Sequence, residues 1–183
     1  MRIISGRYRH RLIKEVPSDA TRETKDRVKE SIFNSLHNQL TQATVLDLFA
    51  GSGSLGLEAL SRGAGHIDFV DQSELARQTI NTNSKMLDVF DNVTIHKMDA
   101  MTFLQSTTTI YDVILLDPPY DVNIIDDIIA FIATHKRLSS QGTIVALYGK
   151  KTSLNVGEYG IIDVKKKTIG ITNVSFMKWS DAA

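Results

Sequence analysis

The chain has 183 residues, of which 42% are hydrophobic and 23% are charged, a composition typical of an ordinary globular protein. It contains no cysteine, which excludes disulfides and any mechanism that needs a thiolate nucleophile, and favours a reducing compartment. No apolar run approaches the length needed to cross a bilayer, and the first residues lack the apolar stretch of a signal peptide. We therefore expect a single cytoplasmic domain over residues 1–183, with no membrane segment.

The net charge of zero conceals an uneven distribution of charge along the chain. Residues 1–30 carry nine Lys or Arg and five Asp or Glu, residues 31–136 carry five and thirteen, and residues 137–183 carry seven and three, so their net charges are +4, −8 and +4. We interpret residues 1–23 as a basic arm that lies on a polyanion, although a solvated tail would have the same composition. The lysines at 165–167 form a second basic cluster. The candidate contacts in the arm are Arg7, Arg9 and Arg11.

The spacing of apolar residues predicts a leading helix and then alternating strands and helices. Val28, Ile32 and Leu36 recur at helical spacing, so we expect a helix over 24–40 that Thr24 caps. Strands are predicted near 44–49, 66–70, 93–95, 112–116 and 143–148, helices near 54–62, 73–87 and 122–137, and a final hairpin over 161–169 and 172–179. This order predicts an α/β fold whose core, residues 44–183, is a doubly wound, mostly parallel sheet of seven strands with an antiparallel hairpin at its edge.

A glycine-rich turn between the first predicted strand and the next helix is the clearest chemical signal. Gly51, Gly53 and Gly56 satisfy the G-x-G-x-x-G pattern, in which glycines let a ligand approach backbone amides at a helix N-terminus. Asp71 ends the second strand, where its carboxylate can accept hydrogen bonds from ribose hydroxyls. Taken alone, this pattern fits NAD as well as adenosylmethionine. The candidate cofactor-binding residues of the turn are Phe49, Ala50, Gly51, Ser52 and Gly53.

Two further acidic residues separate the two cofactors. Asp47 lies inside the first strand, where a carboxylate would repel the pyrophosphate of a dinucleotide but suits the ammonium and sulfonium of adenosylmethionine. Asp99, followed by Ala100, comes after the third strand, where an acid can accept a hydrogen bond from the adenine amino group. The alternative is that Asp47, Asp71 and Asp99 only cap helices or turns. Because acids at the carboxyl ends of successive parallel strands converge on one crevice, we favour adenosylmethionine.

The fourth predicted strand leads directly into Asp117-Pro118-Pro119-Tyr120. The two prolines stiffen the loop and carry no N–H, so the Pro118 carbonyl can face outward. This carbonyl and the Asp117 carboxylate can accept the two hydrogens of an exocyclic amino group, which favours the pyramidal amine that attacks a methyl sulfonium. Tyr120 would stack on a base that has left its own stack. An ordinary strand-to-loop turn is the alternative, but with the glycine turn upstream the motif predicts amino methylation, with these four residues catalytic.

These motifs resemble those of the Rossmann-like adenosylmethionine-dependent methyltransferases, and more narrowly those of the family that methylates N2 of guanine 966 in 16S ribosomal RNA. The resemblance covers nearly the whole chain. The glycine turn is shared by many methyltransferases, and the Asp-Pro-Pro-Tyr motif by amino methylases of DNA, RNA and protein, so two N-terminal blocks are what narrow the match. They are Met1-Arg2-Ile3-Ile4-Ser5-Gly6-Arg7-Tyr8-Arg9 and Thr21-Arg22-Glu23-Thr24-Lys25-Asp26-Arg27-Val28-Lys29-Glu30-Ser31-Ile32-Phe33-Asn34.

The resemblance implies adenosylmethionine as the cofactor and 16S ribosomal RNA of the small ribosomal subunit as the partner. It also implies that Arg22, Lys25 and Arg27 contact RNA phosphates or order the arm over the cofactor. Three residues depart from the family pattern: Glu23 stands where Pro is usual, Asp71 where Glu is usual, and Tyr148, after Leu147, where the strand commonly ends in Glu.

Two other functions stay open at this point. The same amino-methylation motif would serve an adenine-N6 or cytosine-N4 methylase of DNA or RNA, and a non-catalytic RNA-binding assembly factor could retain the fold. The five histidines are scattered without ligand spacing, so we expect no metal site. Asn81 and Asn83 are interpreted as surface positions of the helix after the second strand, and we expect a monomer.

Overall fold

The computed structural model describes residues 1–17, 26–119 and 124–182. Its strands are β1 Thr44–Leu48, β2 His66–Asp71, β3 Val93–Lys97, β4 Tyr111–Leu116, β5 Leu138–Gly149, β6 Ile161–Ile169 and β7 Thr172–Trp179. Its helices are α1 Asp26–Leu36, α2 Ser54–Ser61, α3 Glu74–Leu87, α4 Ala100–Ser106 and α5 Ile125–Thr134. Short 3-10 turns lie at His37–Leu40, Phe90–Asn92 and Gly157–Tyr159.

The strands form one seven-stranded sheet in the order β3-β2-β1-β4-β5-β7-β6. Strands β1 to β5 run parallel, and β7 is antiparallel to both of its neighbours, β5 and β6. The predicted α/β sheet with an antiparallel hairpin at its edge is therefore confirmed. The strand order reverses between β1 and β4, and the carboxyl ends of these two strands flank the crevice in which open parallel sheets bind ligands.

Helices cover both faces of this sheet. One face packs against the N-terminal segment and helices α1, α2 and α3, through core residues that include Phe33, Leu57 and Ile80. The other face packs against α4 and α5, through residues that include Phe103 and Ile129. Because both faces are covered, β4 is apolar along nearly its whole length, as expected for a central parallel strand. The sheet is thus a rigid support for the loops at its carboxyl edge.

The N-terminal segment, predicted to be an arm, is a folded hairpin over its first residues. Arg2 and Leu12 form an antiparallel bridge, and the backbone N–H groups of Ile3 and Ile13 donate to the carbonyls of Arg11 and Met1, both at 3.0 Å. The side chains of Ile3 and Ile13 are buried in the core. We call residues 1–13 the N-terminal hairpin. The burial of Ile3 and Ile13, one on each side of the hairpin, therefore holds its basic residues against the domain.

Glu58, on the buried side of α2, anchors the N-terminal hairpin. Its carboxylate is fully buried and accepts hydrogen bonds from the backbone N–H of Ile4 at 2.8 Å and of Ser5 at 3.0 Å. Arg62 Nε donates to the same carboxylate at 2.8 Å. Lys29 of α1 is also fully buried, and its Nζ lies 3.8 Å from Glu58 and donates to a hairpin carbonyl at 2.6 Å. The hairpin, α1 and α2 therefore meet at one buried charged cluster.

Two helical elements differ from the prediction. The expected helix over 24–40 is α1 followed by the 3-10 turn His37–Leu40, and its proposed cap, Thr24, lies outside the described residues. Helix α4 was not predicted, since its seven residues span only two turns and are too few for a clear apolar period. It begins instead from a local signal, the Asp99 side chain, which accepts a hydrogen bond from Thr102 N–H at 3.0 Å.

The connection between α5 and β5 is also shorter than predicted. Helix α5 ends at Thr134 rather than near 137, and Lys136 adopts a left-handed conformation with φ +51°. Strand β5 begins at Leu138 rather than 143, because Leu138 pairs with Tyr111 of β4 across an irregular register. Its polar residues at 139–141 hid this first part of the strand from the apolar pattern.

Candidate active site

The glycine turn lies at the carboxyl end of β1, between that strand and α2. Phe49, Gly51 and Gly53 have φ values of +63°, +54° and +78°, so the chain turns sharply there, and Gly53 is the N-cap of α2. Ala50 N–H donates to the Val70 carbonyl at 3.0 Å, which fixes the turn against β2. The backbone of the turn is therefore held in one conformation at the edge where parallel sheets bind ligands.

The side chain of Asp47 is buried against the first turn of α2 rather than exposed at the surface of the crevice. Its side chain is 1% exposed, and Oδ2 accepts a hydrogen bond from Gly56 N–H at 2.8 Å. Gly56 itself has no room for a side chain, since a Cβ there would lie 2.3 Å from the ring of Phe69. This contact with Gly56 N–H fits the alternative in which Asp47 caps a helix or turn. It couples β1 to the first turn of α2 and so stabilises the turn.

Asp71, at the end of β2, also contacts the glycine turn directly. Its Oδ2 accepts from Gly51 N–H at 2.9 Å, and its Oδ1 accepts from Ser73 N–H at 2.8 Å, just before α3. The side chain is half-buried and borders the crevice. One carboxylate therefore joins the ends of β1 and β2, while each of its oxygens keeps lone-pair capacity for a further donor.

Asp99 lies two residues beyond the end of β3 and is the N-cap of α4. It accepts from both the backbone N–H and the hydroxyl of Thr102. The hydrogen bond from the Thr102 hydroxyl holds the pKa of this exposed carboxyl below its usual value. Ala100, which follows it, is buried. Asp99 therefore caps a helix, as the alternative required, and it stays ionised and open to solvent at the edge of the sheet.

The Asp-Pro-Pro loop follows β4, the strand next to β1. The register pairs Leu48 with Leu116, so Phe49 and Asp117 leave their strands side by side. Asp117 is half-buried, Pro118 is buried and Pro119 is exposed. Tyr120 lies outside the described residues. The structure thus brings the predicted acceptor pair next to the glycine turn, which the chain separates by more than sixty residues.

Partly buried apolar side chains line the same edge on the α4 and α5 side of the sheet. Phe49, Met98, Met101 and Ile124 pack against the core beneath them while part of each surface stays accessible. Asp99 lies between Met98 and Met101 in the sequence. An apolar wall beside an exposed carboxylate can take a flat aromatic ring that carries an amino group. Sequence reasoning missed the two methionines, because it weighed only Asp99 and Ala100 of this segment.

Asn83 of α3 is the main functional candidate that sequence reasoning placed wrongly. It is fully buried, not on the surface: Nδ2 donates to the carbonyls of Ser52 and Lys14, each at 3.0 Å, and Oδ1 accepts from Lys14 N–H at 2.7 Å. It therefore ties the glycine turn to the chain that leaves the N-terminal hairpin. The helical period would have found it, since Asn83 stands three residues after the buried Ile80.

Among the candidate RNA-binding residues that the structure describes, Arg7 and Arg11 are held away from this edge. Arg7 N–H donates to the carbonyl of Ser61, the last residue of α2, which lies about 12 Å from the glycine turn by the 1.5 Å rise per helical residue. Arg9 is exposed nearby, and Arg11 Nη2 donates to the Met86 carbonyl at 2.7 Å, near the end of α3. Arg27 is exposed in the first turn of α1. Arg22 and Lys25 lie outside the described residues.

The described residues contain neither a candidate metal cluster nor a candidate membrane-spanning helix. Within 1–17, 26–119 and 124–182, no three His, Asp or Glu side chains are grouped as a metal ion would require. No helix in this part of the chain is both long enough and apolar enough to span a membrane.

Comparison with known proteins identifies the family. A model of the family described as conserved hypothetical protein 95 matches residues 1–178. The chain belongs to this family. It is similar to the candidate rRNA methyltransferase YlbH of Bacillus subtilis, with 38% identity over 181 residues that cover 97% of this chain and 98% of YlbH. It is also similar to ribosomal RNA small subunit methyltransferase D of Haemophilus influenzae, with 32% identity over 94% of this chain and 91% of that protein.

Among solved structures, the chain is similar to the candidate methyltransferase yhhF of Escherichia coli. The TM-score is 0.86 at 27% identity, over 98% of this chain and 97% of that one. The fold and the family resemblance derived from the sequence motifs are thereby confirmed.

Proposed function

We propose that this protein transfers the methyl group of adenosylmethionine to the exocyclic N2 amine of a guanine, guanine 966, in the 16S ribosomal RNA of the small subunit. The observation that carries the proposal is the register of β1 and β4. It brings Asp117 and Pro118, which follow β4, beside the glycine turn that follows β1, and this supports an amine acceptor site and a cofactor site in one crevice. The names of the family relatives support the same class of substrate.

The residues around the crevice fit adenosylmethionine. The backbone of Phe49 to Gly53 offers polar groups close to the cofactor, and the half-buried Asp71 can accept from ribose hydroxyls. Asp99 and Ala100, beside Met98 and Met101, suit an adenine ring and its amino group. Asp47 is proposed to act from behind, by holding the turn through Gly56. When bound, the cofactor supplies an activated methyl group on a sulfonium.

The chain's own residues then orient and deprotonate the acceptor. The N2 amine of guanine is planar, with its lone pair delocalised into the ring, and is a poor nucleophile. Hydrogen bonds from its two N–H groups to Asp117 and the Pro118 carbonyl localise that lone pair toward the methyl group. Once methylated, the amine would carry an extra proton, and we assign the Asp117 carboxylate to accept it. Pro119 stiffens the loop, and Tyr120 is proposed to stack on the base.

RNA binding is proposed to use the basic residues of the N-terminal part of the chain. Arg22, Lys25 and Arg27 flank or open α1, and we assign them to phosphates near the site or to ordering the chain over the cofactor. Arg7, Arg9 and Arg11 of the N-terminal hairpin lie farther away and are assigned to more distant phosphates. This assignment follows from their charge and from their exposure where the structure describes them.

The test offers methyl-labelled adenosylmethionine and small ribosomal subunits that lack the modification, then identifies the labelled nucleoside by mass spectrometry. N2-methylguanosine at a single position is the expected result. Label in N6-methyladenosine or N4-methylcytidine would overturn the proposed acceptor, and a cofactor-binding protein that labels no RNA or DNA would favour a non-catalytic assembly factor.

The catalytic role assigned to Asp117 is tested separately by substitution. Asp117→Ala is expected to lower kcat by about 10²- to 10⁴-fold, because it removes one hydrogen-bond acceptor and the proton acceptor, while the Kd for the cofactor changes little. Asp127→Ala, at an exposed position of α5, is the matched control and should leave kcat unchanged. Full activity of Asp117→Ala would rule out the proposed role.

A further inference from the structure

The turn that follows β5 places two lysines beside the Asp-Pro-Pro loop. Strand β5 is the neighbour of β4 and pairs Ala146 with Leu116, so its continuation runs past Asp117. The turn is ordered, since Lys150 N–H donates to the Ile171 carbonyl at 3.0 Å and Thr152 N–H to the Gly149 carbonyl at 3.0 Å. The side chains of Lys150 and Lys151 are both exposed. The backbone of these two lysines is thus fixed at the same edge as the site, while their cationic side chains extend into solvent.

Lys166 of β6 lies on the same row of the sheet. The pairing runs from Leu116 to Ala146, Ser175 and Lys166 across four adjacent strands. Lys166 Nζ lies 5.4 Å above the ring of Tyr148, an attraction between a cation and an aromatic face. Tyr148 is held in turn, because its hydroxyl lies 2.8 Å from the Ser175 hydroxyl in the buried core. The ammonium of Lys166 is therefore directed along the sheet toward the site rather than away from it.

The charge of this half of the edge is opposite to that of the other half. At the ends of β2 and β3, the carboxylates of Asp71 and Asp99 border the crevice. Two cations near them, Arg77 and Lys97, are both paired with Glu74. On the β5 and β6 side, Asp163 of β6 accepts a hydrogen bond at 2.7 Å from the hydroxyl of Ser175, the residue that pairs with Lys166. Asp126 of α5, which accepts from Asn155 N–H at 3.2 Å, is a further acid on this side, but along β5, the turn after it and β6 the lysines outnumber the one carboxylate.

We propose that Lys150, Lys151 and Lys166 form a lysine rim that binds the phosphates on either side of the target nucleotide. The inference rests on the proposed function, since it takes the bound polymer to be RNA whose target base is held by the Asp117 carboxylate and the Pro118 carbonyl. Lys150 is about three residues farther along β5 than the level of Asp117, or about 10 Å at the rise of a β-strand. The ribose and phosphate of a base held at Asp117 can span that distance.

The direction of entry follows from the same division of charge. A phosphodiester strand that approached over Asp71 and Asp99 would meet carboxylates, whereas over β5 and β6 it meets ammonium groups. The cofactor would thus occupy the acidic half and the RNA backbone the basic half, with the acceptor pair between them. An acidic protein would also be attracted to the rim. RNA is favoured because a base in the site brings its own phosphates to the rim, whatever else the partner contains.

The test compares two pairs of substitutions that remove equal charge. Lys150→Gln with Lys151→Gln alters the rim. Lys136→Gln with Lys178→Gln alters exposed or half-exposed lysines at the opposite edge of the sheet, before β5 and at the end of β7. The Kd for a 16S RNA fragment that contains the target is measured from low to moderate salt, together with the Kd for adenosylhomocysteine as a check that the cofactor site is intact.

The rim pair is expected to weaken RNA binding about tenfold or more near 0.1 M salt, and to reduce the slope of log affinity against log salt by about 1.4–1.8, at about 0.7–0.9 per phosphate contact. Adding Lys166→Gln should reduce the slope by about 0.7–0.9 more. The cofactor Kd should not change, and the control pair should leave both RNA quantities near those of the wild type.

Three results would overturn the lysine rim. In the first, the rim pair and the control pair have equal effects while the wild type still forms N2-methylguanosine, so the proposed function stands and the rim fails alone. In the second, the rim pair weakens binding to assembled subunits but not to the naked fragment, which would assign the lysines to a ribosomal protein. In the third, the wild type neither binds nor methylates RNA, which would remove the proposed function and the rim together.

Discussion

The two ends of the chain have the same net charge, +4, and different positions in the fold. The N-terminal hairpin lies along α2 and α3, anchored by Glu58, with Arg7 near the far end of α2. At the other end, the turn after β5 and strand β6 bring Lys150 and Lys166 to the edge that carries the glycine turn and Asp117. Equal charge therefore does not mean an equal relation to the site. Strand order and helix direction decide which cations lie at the edge that carries the candidate site.

The largest expected difference between the ends is in their contribution to stability. Glu58→Ala removes the acceptor of two backbone N–H groups and takes away the carboxylate that lies 3.8 Å from the buried Lys29 ammonium, so we expect the free energy of unfolding to fall by about 3–5 kcal/mol. Lys167→Met is the counterpart on β6, where Nζ donates to the Ser31 hydroxyl at 2.9 Å, and should cost about 0.5–1.5 kcal/mol. Urea unfolding measures both. Equal losses would mean that the N-terminal hairpin is no better anchored than the other end.

A matched pair of glycines tests the same difference by sterics. Both have positive φ, Gly6 at +85° and Gly170 at +62°, but a Cβ on Gly6 would lie 1.9 Å from the Ser61 carbonyl oxygen, whereas a Cβ on Gly170 meets nothing within 4 Å. Gly6→Ala should therefore cost about 3 kcal/mol, from overlap and backbone strain together, and Gly170→Ala about 1 kcal/mol, from strain alone. If thermal unfolding gives the reverse order, the hairpin is not packed on α2 as described.

The stability of the sheet that joins the two ends depends on pH through Asp68. Asp68 is partly desolvated, which raises its pKa, but hydrogen bonds with His96 and from the buried Tyr111 hydroxyl outweigh this and hold the pKa below 3.8. A lowered pKa means stability that is present above pH 3.8 and is lost as the pH falls through the folded value. Asp68→Asn should cost about 1–2 kcal/mol at pH 7, and its difference from the wild type should shrink below pH 3.8.

Two probes follow this acid transition at opposite ends. Trp179, the single tryptophan, reports the C-terminal hairpin by fluorescence, and amide exchange of Ile4 and Ser5 reports the N-terminal hairpin. Asp127→Asn is the control at an exposed position. A variant–control difference that persists unchanged at low pH would contradict the role of Asp68, and different midpoints for the two probes would show that the ends unfold separately.

The smallest effect is expected for the distant arginines. Arg7→Gln with Arg9→Gln should lower RNA affinity by about threefold or less and leave kcat unchanged, because their backbone is anchored at Ser61, about 12 Å along α2 from the glycine turn, and the phosphates assigned to them are not those beside the target base. The measurement is the salt dependence of RNA binding, in parallel with the lysine-rim pair. A loss as large as that of the rim pair would show that the RNA also wraps around the opposite edge.

Much of the architecture and of the crevice could be predicted because local patterns encode them. Alternating apolar segments indicated the sheet, and the glycine pattern marked the turn after β1. Asp71 and Asp117 were noticed because the first ends a strand and the second directly follows one. Parallel strands bring their carboxyl ends to one edge, so these positions could be expected to converge before any distance was known. The short helix α4 was missed because its seven residues are too few to show a helical period of apolar residues.

Sequence alone thus determined the mostly parallel α/β class of the sheet, the glycine turn, the position of the Asp-Pro-Pro loop after a strand, and the family resemblance, since each depends on residues that are neighbours in the chain. Tertiary structure alone decided that Asn83 is buried beneath Ser52, that the N-terminal hairpin ends near Ser61, and that Lys166 rests on Tyr148. Those contacts join residues between 18 and 54 positions apart. Their partners are set by helix direction and strand register, which arise only when the whole sheet packs and its buried polar groups must find hydrogen bonds.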